Sequence, residues 1–135
     1  SAELLHMHGE LLKTRCQLCG HLFTDTEDMT AARPCPGCGK TGGLRPHVVW
    51  FGEMPLGLDQ IYQALEQVDL FVAVGTSGTV YPAAGFVQEA KAAGAWTIEL
   101  TLEPGEVSGI FDERHYGPAS EVVPAWVKRK LETGA

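Results

Sequence analysis

The chain has 135 residues, of which 44% are hydrophobic and 20% charged, which is typical of one globular domain or one domain with a small insert. A formal net charge of -7 excludes the basic surface that binds nucleic-acid phosphates or anionic lipid, so we expect no direct nucleic-acid or membrane partner. We expect a cytoplasmic protein, because no apolar run is long enough to cross a bilayer and no export signal is recognisable.

The first half of the chain predicts few regular elements. Residues 1–15 suit a short strand or turn, and residues 16–43 have too few large apolar side chains to build a core. β-Branched and aromatic residues between Pro46 and Pro55 predict an extended segment. A helix with Asp59 as its cap is then predicted from four apolar residues at helical spacing, Leu58, Ile61, Tyr62 and Leu65.

The second half predicts a strand, a helix and a strand over residues 69–104. DLFVAVGTSG is an apolar run closed by glycine, which is typical of a strand buried on both faces of a parallel sheet. A helix beginning at Pro82 and ending at Gly94 is followed by a second strand, WTIELTLEP. Such units almost always form right-handed parallel crossovers, and a further helix is predicted after Pro124. These elements predict an α/β fold.

Four cysteines occur as two Cys-x-x-Cys pairs separated by fifteen residues, a spacing typical of four-thiolate zinc sites. Each pair forms a turn that presents two sulfurs, so Cys16, Cys19, Cys35 and Cys38 can surround one tetrahedral ion. Free or disulfide-paired thiols are the alternative, which the paired spacing and the expected compartment oppose. Four thiolates leave no open position on the metal, so we predict a structural Zn(II) ion that needs no histidine ligand.

Two other patterns carry chemistry but are ambiguous by themselves. His6 and His8 would face the same side of an extended segment, and Gly9 would leave room beside the second imidazole for a substrate or cofactor. A histidine suits proton transfer at neutral pH, yet a hydrogen-bonded structural histidine explains this pattern as well. The turn VGTSGTVYPAAGF could bind nucleotide phosphates or ribose, and Glu103 could accept a ribose hydroxyl, but a plain turn and a solvated charge are equally open.

The combination of motifs resembles the C-terminal part of a sirtuin. HGEL at His8, the four cysteines, RPHVVWFGEMP, VGTSGTVYPAAGF, ELTLEP and YGPAS occur in the family's order across almost the whole chain. HMHGEL and VVWFGEMP are most similar to the bacterial and mitochondrial branch that includes desuccinylases. The resemblance implies an NAD-dependent protein-lysine deacylase, a deacetylase or desuccinylase, with NAD as co-substrate, structural zinc and acylated-lysine proteins or peptides as substrates. The implied products are deacylated lysine, nicotinamide and acyl-ADP-ribose.

The resemblance also implies a Rossmann-like parallel sheet, present here in part, with a small four-cysteine zinc-ribbon module. The implied NAD-binding domain comprises residues 1–15 and 44–135, and the module comprises residues 16–43. The family's N-terminal half, with its glycine-rich loop, its Gln-Asn-Ile-Asp motif and the Tyr and Arg pair that recognises acidic acyl groups, does not occur here. We therefore expect a fragment whose partner is its own N-terminal half, with an unpaired sheet edge. Alone it should bind zinc and show little or no deacylase activity.

The resemblance assigns roles residue by residue. His8 matches the catalytic histidine, which accepts a proton from the NAD ribose while the acyl oxygen attacks the anomeric carbon. The implied NAD contacts are Gly75, Thr76 and Ser77 at the ribose and phosphates, Thr101, Leu102 and Glu103 near the adenosine ribose, and Ala119 at adenine. The implied contacts at the acyl-lysine entrance are Val49, Phe51, Gly52 and Glu53, on an extended edge to which the peptide adds as a strand. Thr101 stands where close relatives have asparagine, and its hydroxyl reaches less far.

Two other functions fit parts of the sequence. A non-enzymatic zinc-ribbon module could bind a protein partner through the extended segment, although such a module does not require the strand–helix–strand unit. The nucleotide fold could also carry out ADP-ribosyl transfer. Labelled NAD separates the two reactions, because transfer leaves the label on protein whereas deacylation leaves it in free acyl-ADP-ribose.

Overall fold

The structure, a computed structural model, describes residues 3–133, which form two compact units, the first ending at Leu58 and the second beginning at Asp59. The strands are β1 Gly9–Cys16, β2 Leu22–Thr24, β3 Leu44–Val48, β4 Leu70–Val74, β5 Trp96–Thr101 and β6 Glu113–Tyr116. The helices are α1 Leu58–Gln67, α2 Phe86–Ala92 and α3 Ala119–Thr133, with short 3-10 turns at Ala83–Gly85 and Ser108–Ile110. No helix within residues 3–133 combines the length and apolarity needed to cross a membrane.

The first unit is built on an antiparallel sheet in the order β2-β1-β3. At the two ends of β1, Gly9 lies opposite Val48 and Cys16 lies opposite Leu44, with a shift of register between these pairs. The buried side chains of this unit are Thr14, Cys16, Cys35 and Arg45. None of them is aliphatic or aromatic, so the described part of this unit has no conventional hydrophobic core.

The segment after β3 is a turn. Strand β3 ends at Val48, and the amide of Glu53 donates a hydrogen bond to the carbonyl of Trp50 with an N–O distance of 3.0 Å. The extended segment predicted between Pro46 and Pro55 is therefore wrong in its second half.

The two N-terminal histidines also lie in a turn and not in an extended segment. The amide of Gly9 donates to the carbonyl of His6 with an N–O distance of 3.0 Å, so the premise that His6 and His8 share one face of a strand is wrong. The space predicted beside Gly9 is filled, because a Cβ there would collide with the backbone of His47 and Val48. This glycine serves strand packing.

The second unit contains a parallel sheet in the order β4-β5-β6. Strands β4 and β5 pair in parallel and α2 connects them, so the predicted parallel strand–helix–strand unit is confirmed. The core lies on β5, which is buried from Thr97 to Thr101, and on α2, which buries Phe86, Val87 and Ala90. Strand β4 forms an edge where Val74 is 50% exposed, so the prediction that it is buried on both faces is wrong.

The remaining elements differ from prediction mainly at their ends. Helix α1 is confirmed, but Asp59 lies inside its first turn and does not precede it as a cap. Helix α3 begins at Ala119, upstream of Pro124, which is an internal residue. Strand β6, with the sequence ERHY, was not predicted because it is short and polar, and its pairing with β5 defines it.

We predict that Gly9→Ala destabilises the protein more than Gly52→Ala. The two glycines have nearly the same positive φ, +88° and +87°, but a Cβ at position 52 would meet nothing within 4 Å. Gly52→Ala should cost only the backbone strain of about 1 kcal/mol, whereas Gly9→Ala should cost about 2 kcal/mol more, since β3 must move. Urea unfolding of the zinc-loaded protein measures both, and equal losses would contradict the proposed close approach.

Candidate functional site

The four predicted cysteine ligands come together in the first unit. Their Sγ atoms all lie within 4.8 Å of one another, and the Cys16–Cys38 and Cys19–Cys35 sulfurs are 3.9 and 3.7 Å apart. A tetrahedral zinc ion with Zn–S bonds of about 2.3 Å requires sulfurs about 3.8 Å apart. The thiols are therefore positioned to bind one zinc ion, and within residues 3–133 they form the single such group of cysteine, histidine or acidic side chains.

Two similar backbone turns present these sulfurs. The amide of Gly20 donates to the carbonyl of Cys16, and the amide of Gly39 donates to the carbonyl of Cys35, each with an N–O distance of 2.8 Å. The amides of Cys16 and Cys35 in turn donate to carbonyls five residues further along the chain, those of His21 and Lys40, both at 2.9 Å. Each Cys-x-x-Cys pair is thus closed on itself by main-chain hydrogen bonds.

The electrostatics of the four thiols favour a cation among them. Backbone N–H groups of Cys38 and Gly37 lower the pKa of Cys35 to about 7, because they stabilise its thiolate. At Cys19 the backbone N–H of His21 lowers the pKa, but desolvation and hydrogen bonds shared with the other thiols raise it to about 11 overall. A cation among the four sulfurs would stabilise their thiolate forms, and Zn(II) with four thiolate ligands meets that requirement.

His8 stands outside the sulfur cluster, at the start of β1, and its side chain is exposed. Its carbonyl accepts a hydrogen bond from the amide of Val49 at 2.9 Å, and the carbonyl of Met7 accepts one from the amide of Leu56 at 2.7 Å. The backbone of His8 is thus fixed on one side by the residues that follow β3. His6 is also exposed, with its Nε2 atom 3.5 Å from a carboxylate oxygen of Glu10.

The residues predicted at the acyl-lysine entrance lie in the turn after β3. Val49 is half-buried, and Phe51 projects outward with 98% of its surface exposed. The Glu53 carboxylate pairs with the guanidinium of the buried Arg45, which holds the pKa of that carboxyl at about 2. Sequence reasoning did not single out Arg45, since nothing in the local pattern distinguishes it from a solvated arginine.

In the second unit, the predicted nucleotide residues share one edge of the parallel sheet. Gly75 directly follows β4 and its amide donates to the carbonyl of Leu100 at 2.9 Å, while Thr101 ends β5 and its carbonyl accepts from the amide of Gly117 at 3.0 Å. Ala119 begins α3 shortly after β6. These positions follow the carboxyl ends of three parallel strands, where open α/β sheets bind ligands.

The hydroxyl groups of the loop after β4 have local partners. The Oγ1 atom of Thr76 accepts a hydrogen bond from the amide of Gly78 at 3.2 Å, and the Oγ atom of Ser77 lies 2.9 Å from Oγ1 of Thr79. At the end of β5, Thr101 is buried, whereas Leu102 and Glu103 are exposed. The edge therefore carries small hydroxyl side chains and one exposed carboxylate, groups that can hydrogen-bond to a ribose.

We predict that the sulfur cluster binds about one zinc ion per chain and that its affinity falls as the pH is lowered from about 8 to about 6. The sign follows from competition, because protons occupy the thiolates as the pH falls toward the pKa of Cys35, about 7. Competition with a chromogenic chelator measures the affinity. Cys35→Ser should lose most of the zinc and His8→Ala should retain it, and zinc loss in His8→Ala would contradict a sulfur-only site.

Comparison with known proteins supports one family. The profile of the Sir2 family matches residues 1–82, more than half of the chain. NAD-dependent protein deacylases of Shigella flexneri and Caulobacter vibrioides are each 57% identical to it, over 132 and 128 residues. These alignments cover 98% and 95% of this chain but 48% and 54% of those proteins, so the chain spans about half the length of the curated relatives it matches.

Solved structures agree with this result. A Sir2 homologue in complex with NAD has a TM-score of 0.83 at 32% identity, covering 96% of this chain and 52% of the homologue. Sir2Af2 bound to a myristoylated histone peptide has a TM-score of 0.71 at 30% identity, covering 96% and 58%. The predicted Rossmann-like partial sheet with a four-cysteine module is confirmed, and the chain belongs to the Sir2 family.

Proposed function

We propose that this chain is part of an NAD-dependent protein-lysine deacylase. The observation that carries the proposal is its 57% identity to a named deacylase over 98% of the chain. A supporting observation is that the proposed NAD-binding positions follow the carboxyl ends of β4, β5 and β6. The remaining half of the same protein is the proposed partner that completes the enzyme.

His8 is the proposed catalytic base. A neutral imidazole can accept a proton from a ribose hydroxyl. The exposed side chain of His8 and its anchored backbone support this role, because the ring is accessible while its attachment point is fixed. NAD, when bound, supplies the anomeric carbon that the acyl oxygen of the substrate attacks and from which nicotinamide leaves.

The other roles are proposed for segments of each unit. In the second unit, Gly75–Ser77 bind ribose and phosphates, Thr101–Glu103 bind the adenosine ribose, and the backbone of Ala119 contacts adenine. In the first unit, Val49, Phe51, Gly52 and Glu53 form the acyl-lysine entrance. Because residues 50–53 turn, strand addition by the peptide is restricted to the extended backbone up to Val49. The zinc ion holds the two cysteine turns together and takes no part in the reaction.

The proposal also includes the domain division, the substrates and their compartment, and the classes of partner that the protein does not bind. Residues 1–15 and 44–135 belong to the NAD-binding domain and residues 16–43 to the zinc module, a division that limited proteolysis of the full-length protein would test. The protein acts on acylated-lysine substrates in the cytoplasm, and it binds neither nucleic acid nor membrane directly, in line with its net charge of -7.

We predict that His8→Ala lowers NAD-dependent deacylation by the full-length protein by about a hundredfold or more, since the proton acceptor is lost. Mass spectrometry of acyl-ADP-ribose measures the reaction, and His6→Ala is the matched control with near-normal activity. A thermal shift with NAD should persist in both variants. Undiminished turnover in His8→Ala would refute the role of His8, whereas label transferred from NAD to protein would favour ADP-ribosyl transfer.

A further inference from the structure

A single buried cation organises the turn after β3. The Nη1 and Nη2 atoms of Arg45 donate to Oε2 and Oε1 of Glu53 with N–O distances of 2.7 and 2.8 Å. Nη2 also donates to the carbonyl of Val48 at 3.0 Å, and the guanidinium carbon lies 3.8 Å from the centroid of the Trp50 ring. Arg45 is 6% exposed, so most of its surface is committed to this turn.

The Glu53 carboxylate also bonds to the backbone of the turn. Its Oε1 atom accepts a hydrogen bond from the amide of Trp50 at 2.9 Å, and the amide of Glu53 donates to the carbonyl of Trp50 at 3.0 Å. Arg45 and Glu53 together therefore fix the beginning, middle and end of residues 48–53. The hydrogen bond from the amide of Val49 to the carbonyl of His8 connects this turn to the proposed catalytic residue.

We propose that Arg45 and Glu53 are a positioning pair that sets the place of the peptide-binding turn relative to His8, an inference that rests on the function proposed above. Glu53 then contributes to the proposed entrance through its ion pair with Arg45, and its carboxylate does not contact the peptide. The groups that meet the substrate are Val49, the outward-facing Phe51 and Gly52. Lysine or arginine residues next to the acyl-lysine consequently gain no attraction from Glu53.

The chemistry of the pair makes a conservative substitution informative. Arginine forms two parallel bonds to a carboxylate and stacks its planar group on an aromatic ring, whereas lysine offers a point charge without the planar fork. Arg45→Lys therefore keeps the positive charge and removes the geometry. Glu53→Gln removes the negative charge, leaves a side chain of nearly the same shape, and acts at the more exposed end of the pair, with a side-chain exposure of 38% against 8% for Arg45.

A second ion pair in the same unit provides a matched control. Arg33 donates to both carboxylate oxygens of Asp25 at 2.6 and 3.0 Å, and its guanidinium carbon lies 5.9 Å from the Phe23 ring. Both residues lie within residues 16–43, and none of their side-chain hydrogen bonds or ion pairs in the described chain reaches residues 48–53. Arg33→Lys thus reproduces the chemical change of Arg45→Lys at a site outside the proposed peptide-binding turn.

The test uses the full-length enzyme with an acetyl-lysine peptide. We expect Arg45→Lys and Glu53→Gln each to raise the peptide KM and the peptide Kd by about tenfold, with the KM for NAD unchanged, because only peptide placement is lost. The double variant should be no worse than either single variant, since both remove one interaction. Arg33→Lys should leave the peptide KM at the wild-type value. Normal peptide KM in both Arg45→Lys and Glu53→Gln would overturn the inference.

Two further measurements separate the possible failures. If Glu53→Gln abolishes a preference for peptides with basic neighbours while Arg45→Lys does not, Glu53 contacts the peptide and the inference is wrong.

If the full-length protein has no deacylase activity, the proposed function fails, and hydrogen exchange still tests the pair. The amides of Trp50 and Glu53 should then exchange about tenfold faster in Arg45→Lys than in Arg33→Lys, as expected for a less stable turn. Equal exchange would overturn the inference.

Discussion

The first unit depends on the four thiol groups that meet at one point. Its buried side chains are two cysteines, a threonine and an arginine, so burial of hydrocarbon contributes little to its stability. In such a unit the free energy of metal binding becomes free energy of folding, because the ligand set does not exist in the unfolded chain. A zinc ion held by these four thiols would do what aliphatic side chains do in a larger domain.

The cysteine cluster is connected to the proposed catalytic residue by strand β1. Strand β1 ends at Cys16, a ligand in the cluster, and begins at Gly9, directly after His8. Both of its ends pair with β3, Cys16 opposite Leu44 and Gly9 opposite Val48. A metal ion bound at Cys16 can therefore affect where the exposed His8 imidazole stands.

The second unit is stabilised in a different way. Apolar side chains of β5 and α2 form a buried core, and the Asp112 carboxylate braces its edge. One oxygen of Asp112 accepts from the amide and hydroxyl of Thr97, both at 2.9 Å, and the other lies 2.7 Å from Nζ of Lys91, which holds the carboxyl pKa at about 2. The proposed nucleotide loops follow the ends of these strands, so the packed core positions them.

The sequence by itself determined the features that depend on local spacing. The Cys-x-x-Cys pairs specified the metal ligands, the apolar runs on either side of a helical stripe specified the parallel unit, and the order of motifs specified the family. Each Cys-x-x-Cys pair and each apolar run lies within a few residues of chain, so local geometry expresses it, whereas the family signal lies in the order of the motifs along the chain.

Only the tertiary structure decided which residues are partners across the fold. The edge position of β4 and the strand β6 depend on strands distant in sequence, so the local composition did not predict them. The turn at 50–53 depends on the Arg45–Glu53 ion pair and on bonds within the turn. Arg45 gave no signal in the sequence and Glu53 was assigned only to the acyl-lysine entrance, so their ion pair became evident only in the structure. Gly9 was predicted to leave room for a ligand, but the backbone of β3 occupies that space. The local sequence pattern determines which secondary structure a segment can form, and long-range contacts determine which residues it packs against.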